Sequence, residues 1–423
     1  MKNGQKVKLK KFLLVLFYLF LVITLTDGTY SSPKKKGDGE GLKLDLLAAE
    51  TLEMISHSFN SYMDNAFPAD ELNPIRCTGR SKDRNNPGNV NLNDVLGDFM
   101  LTLIDSLDTL AVVGNYSSFE KSVQIVTSRL QSFDIDSLVS VFEVTIRVLG
   151  GLLSAHLVIV QPELGFRENL SQEFLHSYKD DLLLLAYDLG LRLLPAFEGT
   201  ATKIPYPRVN LRYGIPPEWK TDYRGQARAN TTDENGQYQE KETFQHAKWV
   251  YGETCSAGAG TLVLEFGLLG KLVGDSRFEE VTKGAMEGIW QRRSSKNLIG
   301  NVIDIQTGSW VHTESGIGAG IDSFFEYALK AHILFGDDDY LNLFTTAYTA
   351  IQQHVKDPVT NLYRNVQMTT ASPYSTWIDS LSAYFPGLQV IFFFFFFPIY
   401  YFFYYIFYLI FLKSFLHFNN LPF

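Results

Sequence analysis

Residues 137–156, SLVSVFEVTIRVLGGLLSAH, decide how the rest of the chain is read. Apolar side chains fall on nearly every side of this stretch: Leu138, Val139, Val141, Phe142, Val144, Ile146, Val148, Leu149, Leu152 and Leu153. Such a distribution predicts a helix buried all round rather than on one face. Two charges interrupt it, Glu143 and Arg147. At a spacing of four they share one side of a helix and can touch. Burying an ion pair costs desolvation that the attraction often does not return, so the pair asks for a reason. Either it stitches two helices together, or it places a carboxyl in a cleft whose surroundings govern its proton.

Outward from this segment, the 423 residues are 46% hydrophobic and 20% charged, enough for one large core or two ordinary ones. A net charge of −9, with no basic stripe beyond the N-terminus, excludes a general nucleic-acid binder. Residues 1–30 pair a lysine-rich start with the apolar run 12–25, which reads as a signal peptide or a signal anchor. Residues 31–43 are a polar linker, and the globular part is expected over 44–390. Acceptor sequons at Asn115, Asn169 and Asn230 agree with a lumenal address. Two cysteines, Cys77 and Cys255, permit one bridge in an oxidising compartment but no disulfide scaffold, and neither has metal-ligand spacing.

Helical periodicity recurs at 44–66, 92–113, 118–132, 137–158, 173–194, 256–274, 276–293, 318–336, 338–355 and 376–390, while strand-like alternation is scarce. Short connections with turn signals predict antiparallel helical hairpins, hence an all-α bundle, solenoid or closed barrel. No repeat of fixed period is visible, which weighs against helical-repeat arrays. Three longer connections, 66–92, 200–217 and 297–320, are candidates to carry function. Residues 218–253 are polar and read as a surface insertion.

Acids stand inside several of these apolar helices. Asp105 and Asp108 are three apart in TLIDSLDT, where helix-interior Asp is unfavourable by propensity and suggests a polar pocket. Glu265 sits in LVLEFG. GIGAGIDSFFEY brings Asp322 to a helix start with Glu326 one turn on, and TWIDSLSAYFPG holds Asp379. With Arg147 and Arg208 between them, inward acids on different helices suit glycoside hydrolysis, in which two carboxyl groups about 6.5–9.5 Å apart leave room for a water and invert the anomeric centre. Trp310, Trp377, Phe324 and Phe325 are candidates to stack on a sugar or to fill the core. Nucleophile elbow, P-loop, dinucleotide and H-E-x-x-H motifs are all missing.

PADELNPIRCTGR, NVNLNDVLGDFMLTLIDSLDTLAVVGN, VFEVTIRVLGGLLSAH, LLPAFEGT, IPYPRVNL, ETCSAGAGTLVLEFG, GAGIDSFFEYALKAHILFGD and TWIDSLSAYFPGLQV resemble, in order, the glycoside hydrolase family forty-seven α-mannosidases, and among them the ER degradation-enhancing branch. The resemblance covers about residues 45–390. It implies an (α/α)7 barrel and calcium-assisted, inverting hydrolysis of α-1,2-linked mannose. The substrates it implies are high-mannose N-glycans of misfolded glycoproteins in the endoplasmic reticulum lumen, with room for an ER oxidoreductase or chaperone as partner. Glu143 matches the acid that protonates the leaving oxygen through a water, Arg147 the arginine beside it, and Asp322 a second catalytic carboxylate. Arg147, Asp105, Arg208, Glu265, Glu326 and Asp379 are the expected substrate-binding set. An acid keeps its proton near neutral pH when burial raises its pKa, a shift that Arg147 opposes. The rival reading is a non-catalytic glycan-binding adaptor that delivers misfolded clients.

The resemblance stops where the family continues with more helices and this chain runs on as IFFFFFFPIYYFFYYIFYLIFL over 391–412, long enough to cross a bilayer. The expectation is therefore a barrel of about five of seven hairpins, with 391–423 an aromatic tail that is either an artefact or a membrane segment. The calcium-binding threonine, the remaining glutamates and the cysteine expected to pair with Cys77 fall in the missing part. Loss of turnover, exposed apolar helix faces, and aggregation or membrane association through 12–25 or 391–412 follow for the chain as given.

Overall fold

A computed structural model describes residues 40–86, 88–216, 251–375, 377 and 379–396. Besides two short helical turns, Val90–Asn93 and Gln172–Ser177, its helices are α1 (Glu40–Asn65), α2 (Leu101–Asp105), α3 (Leu107–Val112), α4 (Tyr116–Arg129), α5 (Val141–Val160), α6 (Asp181–Leu193), α7 (Ser256–Gly260), α8 (Val263–Val273), α9 (Arg277–Trp290), α10 (Asp322–Phe335), α11 (Asp338–Ala350) and α12 (Tyr384–Phe396). They pack as successive pairs: α3 with α4, α5 with α6, α8 with α9, and α10 with α11. One member of each pair also touches its counterpart in the next, so α3, α5, α8, α10 and α12 form a continuous inner row. Because each outer helix returns the chain, the inner helices run the same way. With α1 before the row and α12 at its end, this is the all-α hairpin architecture expected.

The segment 137–156 is the buried centre of that row. Val144, Val148, Leu149, Leu152 and Leu153 are at most 1% exposed, each such aliphatic contributing about 1.5–3 kcal/mol by leaving water. Gly151 lets α5 approach α2: a Cβ there would stand 2.8 Å from the Ile104 carbonyl oxygen. The helix begins at Val141, not at residue 137, because 138–140 is committed elsewhere. It also widens into a π turn over Val144–Leu149, in which the Gly150 N–H donates to the Thr145 carbonyl five residues back. Extra residues of this kind re-aim the side chains around them and recur at functional sites.

Strands that alternation did not reveal are present, each of two or three residues. β1 (Glu71–Asn73) pairs with β2 (Thr78–Arg80), and β3 (Leu138–Ser140) with β4 (Arg208–Asn210). β5 (Glu253–Cys255), β6 (Val302–Asp304) and β7 (Trp310–His312) form one antiparallel sheet; β8 (Glu314–Ser315), β9 (Asn365–Gln367) and β10 (Pro373–Ser375) form another. Alternation cannot show in runs this short. β3 leads into α5, β5 into α7 and α8, β8 toward α10, and β10 toward α12. The sheets thus gather at the N-terminal ends of the inner helices.

The continuous helix expected over 92–113 is broken. The Asp70 carboxylate accepts four backbone N–H groups, from Gly97, Asp98, Phe99 and Leu101, at 2.7–3.1 Å. Asp98 and Met100 take left-handed φ of 64° and 59° around it. Asp105 therefore ends α2 and Asp108 falls in the first turn of α3, rather than both lying within one helix. Likewise 376–390 is not one helix: a 3-10 turn, Ser380–Ala383, precedes α12. Cys77 and Cys255 are both free thiols, so the single bridge that composition permitted is not formed between them. α5, and α7 with α8, are long and apolar enough to cross a membrane, but both are largely buried in this core. Residues 12–25, the insertion's Asn230 and the tail beyond Phe396 lie outside the described residues.

Candidate active site

The acids sit where the inner helices begin. Glu143 is the third residue of α5, Glu265 the third of α8, Asp322 the first of α10 with Glu326 one turn on, and Asp379 caps the turn before α12. A helix N-terminus carries partial positive charge and unsatisfied N–H groups, so parallel inner helices present a common end that tolerates acids. α7 packs on both the start of α5 and α10, and α8 packs on both α5 and α10, joining the segments that carry Glu143, Glu265 and Asp322.

One group of acids is organised by a cation. Ser140, extended as the last residue of β3, accepts the Glu143 N–H and starts α5. Arg147 Nε donates to Glu143 Oε2 at 2.8 Å, the contact expected from the spacing, and its guanidinium also reaches Asp105 Oδ2 at 3.5 Å. Burial raises the Asp105 pKa, and Arg147 opposes the rise. Asp108 accepts from Ser154 at 3.2 Å. Arg208 is tied to the strand that leads into this group. Only 7% exposed, it forks onto Asp94 through two 2.6 Å bonds, and in β4 it pairs with Ser140. Its role in the fold is to hold the strand that starts α5, and Asp94 is the partner that sequence reading missed.

The other group gathers around the start of α10. Burial raises the Asp322 pKa; bonds from the Ser323 N–H (2.7 Å) and hydroxyl (3.2 Å) oppose this, and the charges of Asp379 and Glu326 add to it. Glu326 accepts from Lys330 at 2.5 Å. Asp379 ties the α12 entrance to the loop before α10, accepting from Ala319 N and Ser382 N, each at 3.1 Å. This closeness requires Gly318, where a Cβ would stand 2.1 Å from Asp379 Oδ2.

Glu265 lies against both groups. Its Cγ is 3.7 Å from the position of a Cβ on Gly150 of α5, and its Oε1 accepts from the Tyr327 hydroxyl of α10 at 2.7 Å. Burial pushes its pKa up to about 7 despite that bond, and Oε2, shut off from solvent, has no hydrogen-bond partner. Tyr384, which no motif singled out, places a buried and unpartnered hydroxyl near Asp322 and Glu326.

The aromatic candidates divide. Phe324 and Phe325 are core residues, and Trp310 is used structurally, donating to the Arg292 carbonyl and covering Gly300. Trp377, 60% exposed beside Asp379, keeps a free face. Two surface clefts, one around Ser295, Thr349 and His354 and one around Arg167, Gln172 and His176, contain none of the acids. Of the sequons, Asn115 caps α4 by accepting the Ser118 N–H, and Asn169 is exposed and donates to the Tyr116 hydroxyl at 3.3 Å.

Calcium takes six to eight oxygen ligands. Among the described residues no three His, Cys, Asp or Glu side chains converge as a carboxylate-built metal site would require.

Residues 54–394 match the glycosyl hydrolase family 47 pattern. Among curated proteins, the ER degradation-enhancing alpha-mannosidase-like protein 3 of Homo sapiens is 43% identical over 82% of this chain and 33% of its own length. Alpha-mannosidase I MNS4 of Arabidopsis thaliana is 43% identical over 82% of this chain and 46% of its own. The chain thus spans between a third and a half of these relatives. In structure it is similar to the alpha-1,2-mannosidase from Trichoderma reesei, with a TM-score of 0.61 over 81% of this chain and 62% of that one, at 22% identity. That likeness carries the fold, an (α/α)7 barrel of which this chain supplies part. By the pattern that spans most of its length, and by relatives at 43% identity, the chain belongs to glycosyl hydrolase family 47.

Proposed function

We propose that the acids at the inner-helix N-termini are the sugar-facing walls of an α-1,2-mannosidase site. It acts on high-mannose N-glycans of misfolded glycoproteins in the endoplasmic reticulum lumen, a reading supported by relatives whose names carry ER degradation and alpha-mannosidase. Glu143 and Asp322 face a shared cavity, Glu143 as the general acid acting through a water and Asp322 as the second carboxylate. Asp105, Glu265, Glu326 and Asp379 hold sugar hydroxyls, Arg147 orients Glu143, and Trp377 offers a stacking face. Arg208 braces β3, the strand that leads into Glu143, and is kept among the sugar-binding candidates. The family's calcium is expected to come with ligands other than these.

The observation that carries the reading is the collection of carboxyls from three successive inner helices, α5, α8 and α10, and from the turn before α12, at one end of the row, with burial raising the Glu265 pKa to about 7. Carboxyls in contrasting environments divide the acid and base roles of glycoside hydrolysis. Sugar binding is what these walls supply by themselves, and turnover is the further step. The test sets the 423-residue chain beside Glu143→Gln and Asp322→Asn on a high-mannose glycan, following both binding and mannose release. Release that falls by about 10²–10⁴-fold in Glu143→Gln supports the mechanism. Equal binding by all three with no release from any favours the adaptor reading. No binding by the unmodified chain removes the assignment altogether.

A further inference from the structure

Tyr384 opens α12 directly behind the turn that Asp379 caps, and Asp379 is in turn bonded to Ala319, three residues before Asp322. α12 packs on α10, and the Tyr384 phenol lies within electrostatic reach of Asp322 and Glu326. Burial, with those two negative charges adding to it, pushes the Tyr384 pKa well above the usual phenol value. The ring is fixed edge-on against Phe385, with centroids 5.9 Å apart, and packing would be served as well by phenylalanine. Yet the hydroxyl is present, closed to solvent, and bonded to no described group. A buried hydroxyl without a partner lowers stability, and one retained beside two acids is there for something that enters.

We propose that the Tyr384 hydroxyl is a sugar-recognition group, completing the Asp322 and Glu326 site by bonding to one hydroxyl of the bound mannose. The chemistry selects a neutral polyol. Ionised carboxylates only accept, whereas a phenol can donate and accept. A sugar hydroxyl donates its proton to an acid and accepts the phenolic O–H at once. This assignment rests on the mannosidase reading above and adds to it a residue that distinguishes one hydroxyl position of the sugar from the others.

The test is a chemical double-mutant cycle on the 423-residue chain, comparing it with Tyr384→Phe. The probes are α-1,2-mannobiose and its monodeoxy analogues, with affinity measured by calorimetry and thermal midpoint by circular dichroism. The expected result is about a tenfold loss of mannobiose affinity in Tyr384→Phe. One deoxy analogue should bind the unmodified chain about tenfold more weakly than the parent disaccharide yet bind Tyr384→Phe no worse than the parent does. The variant should melt no lower than the unmodified chain, since it removes an unsatisfied buried group. Equal affinities of both proteins for every probe would overturn the proposal while leaving the mannosidase reading standing. A variant melting several degrees lower would show an internal partner for the hydroxyl and overturn it as well. No binding of mannobiose by the unmodified chain would remove both.

Discussion

Glu143 and Glu265 are the same residue type, each third in an inner helix, yet their surroundings are opposite. Glu143 accepts a charge-assisted bond from Arg147, which also answers Asp105. Glu265 receives a neutral phenol on one oxygen and nothing on the other, and its pKa rises to about 7. Desolvation is partly answered by an opposite charge in the first case and left to the proton in the second. What a carboxyl does in this site is decided by what the neighbouring helix brings to it, not by its position along its own helix.

The largest test of that contrast is pH. Burial pushes the Glu265 pKa from the usual 4.5 of the unfolded chain up to about 7 in the folded one, so between these values the folded chain binds the additional proton. Stability due to this group is full below about pH 4.5, falls as pH rises through the window, and is lost above about 7. The difference amounts to about 3 kcal/mol. Urea unfolding of the chain and of Glu265→Gln across this range should give curves whose gap changes by that order, the variant being relatively more stable at pH 8 than at pH 4.5. Parallel curves would mean that Glu265 is no more costly to ionise than an exposed carboxyl.

Next in size is Tyr327→Phe. It removes the donor to Glu265 Oε1 and leaves both carboxyl oxygens without a bond, at a cost of about 1–2 kcal/mol. Since the phenol's bond lowers the Glu265 pKa, its loss should move the midpoint of the pH dependence above 7. An unchanged midpoint would detach Tyr327 from the proton on Glu265.

The contrast was only half legible in the chain. Glu143 and Arg147 meet because a helix brings residues four apart together, and local spacing states that directly. Glu265 was visible as an acid among aliphatics, but its neutral partner lies 62 residues on, in a helix whose rotation no local pattern fixes. The break in the 92–113 helix comes from Asp70, 27–31 residues before the amides it binds. β3 was read as helix because its partner β4 lies beyond α5 and α6, and pairing over such separations leaves no signal in a three-residue strand. Tyr384 had none at all, since what marks it is a missing partner, which only coordinates reveal. The architecture was legible because hairpin periodicity is local, whereas the chemistry of each wall was set by distant residues.

The smallest effect tests whether Arg147 answers both acids equally. Its bond to Glu143 is 2.8 Å long and the acid's side chain is 22% exposed; its contact with Asp105 is 3.5 Å and both partners are about two-fifths exposed. Solvent screens the second pair far more, and exposed ion pairs are generally worth about 0.2–1 kcal/mol. A double-mutant cycle joining Arg147→Met with Asp105→Asn should therefore give a coupling of about 0.5 kcal/mol or less, shrinking further in 1 M salt, where screening falls to about 3 Å. The corresponding cycle with Glu143→Gln should give the larger value and lose less of it to salt. Equal couplings would place Arg147 midway between two acids of one cluster. A dominant Glu143 coupling would make Asp105 a neighbour whose raised pKa Arg147 only moderates, and would leave the guanidinium with one task, the orientation of Glu143.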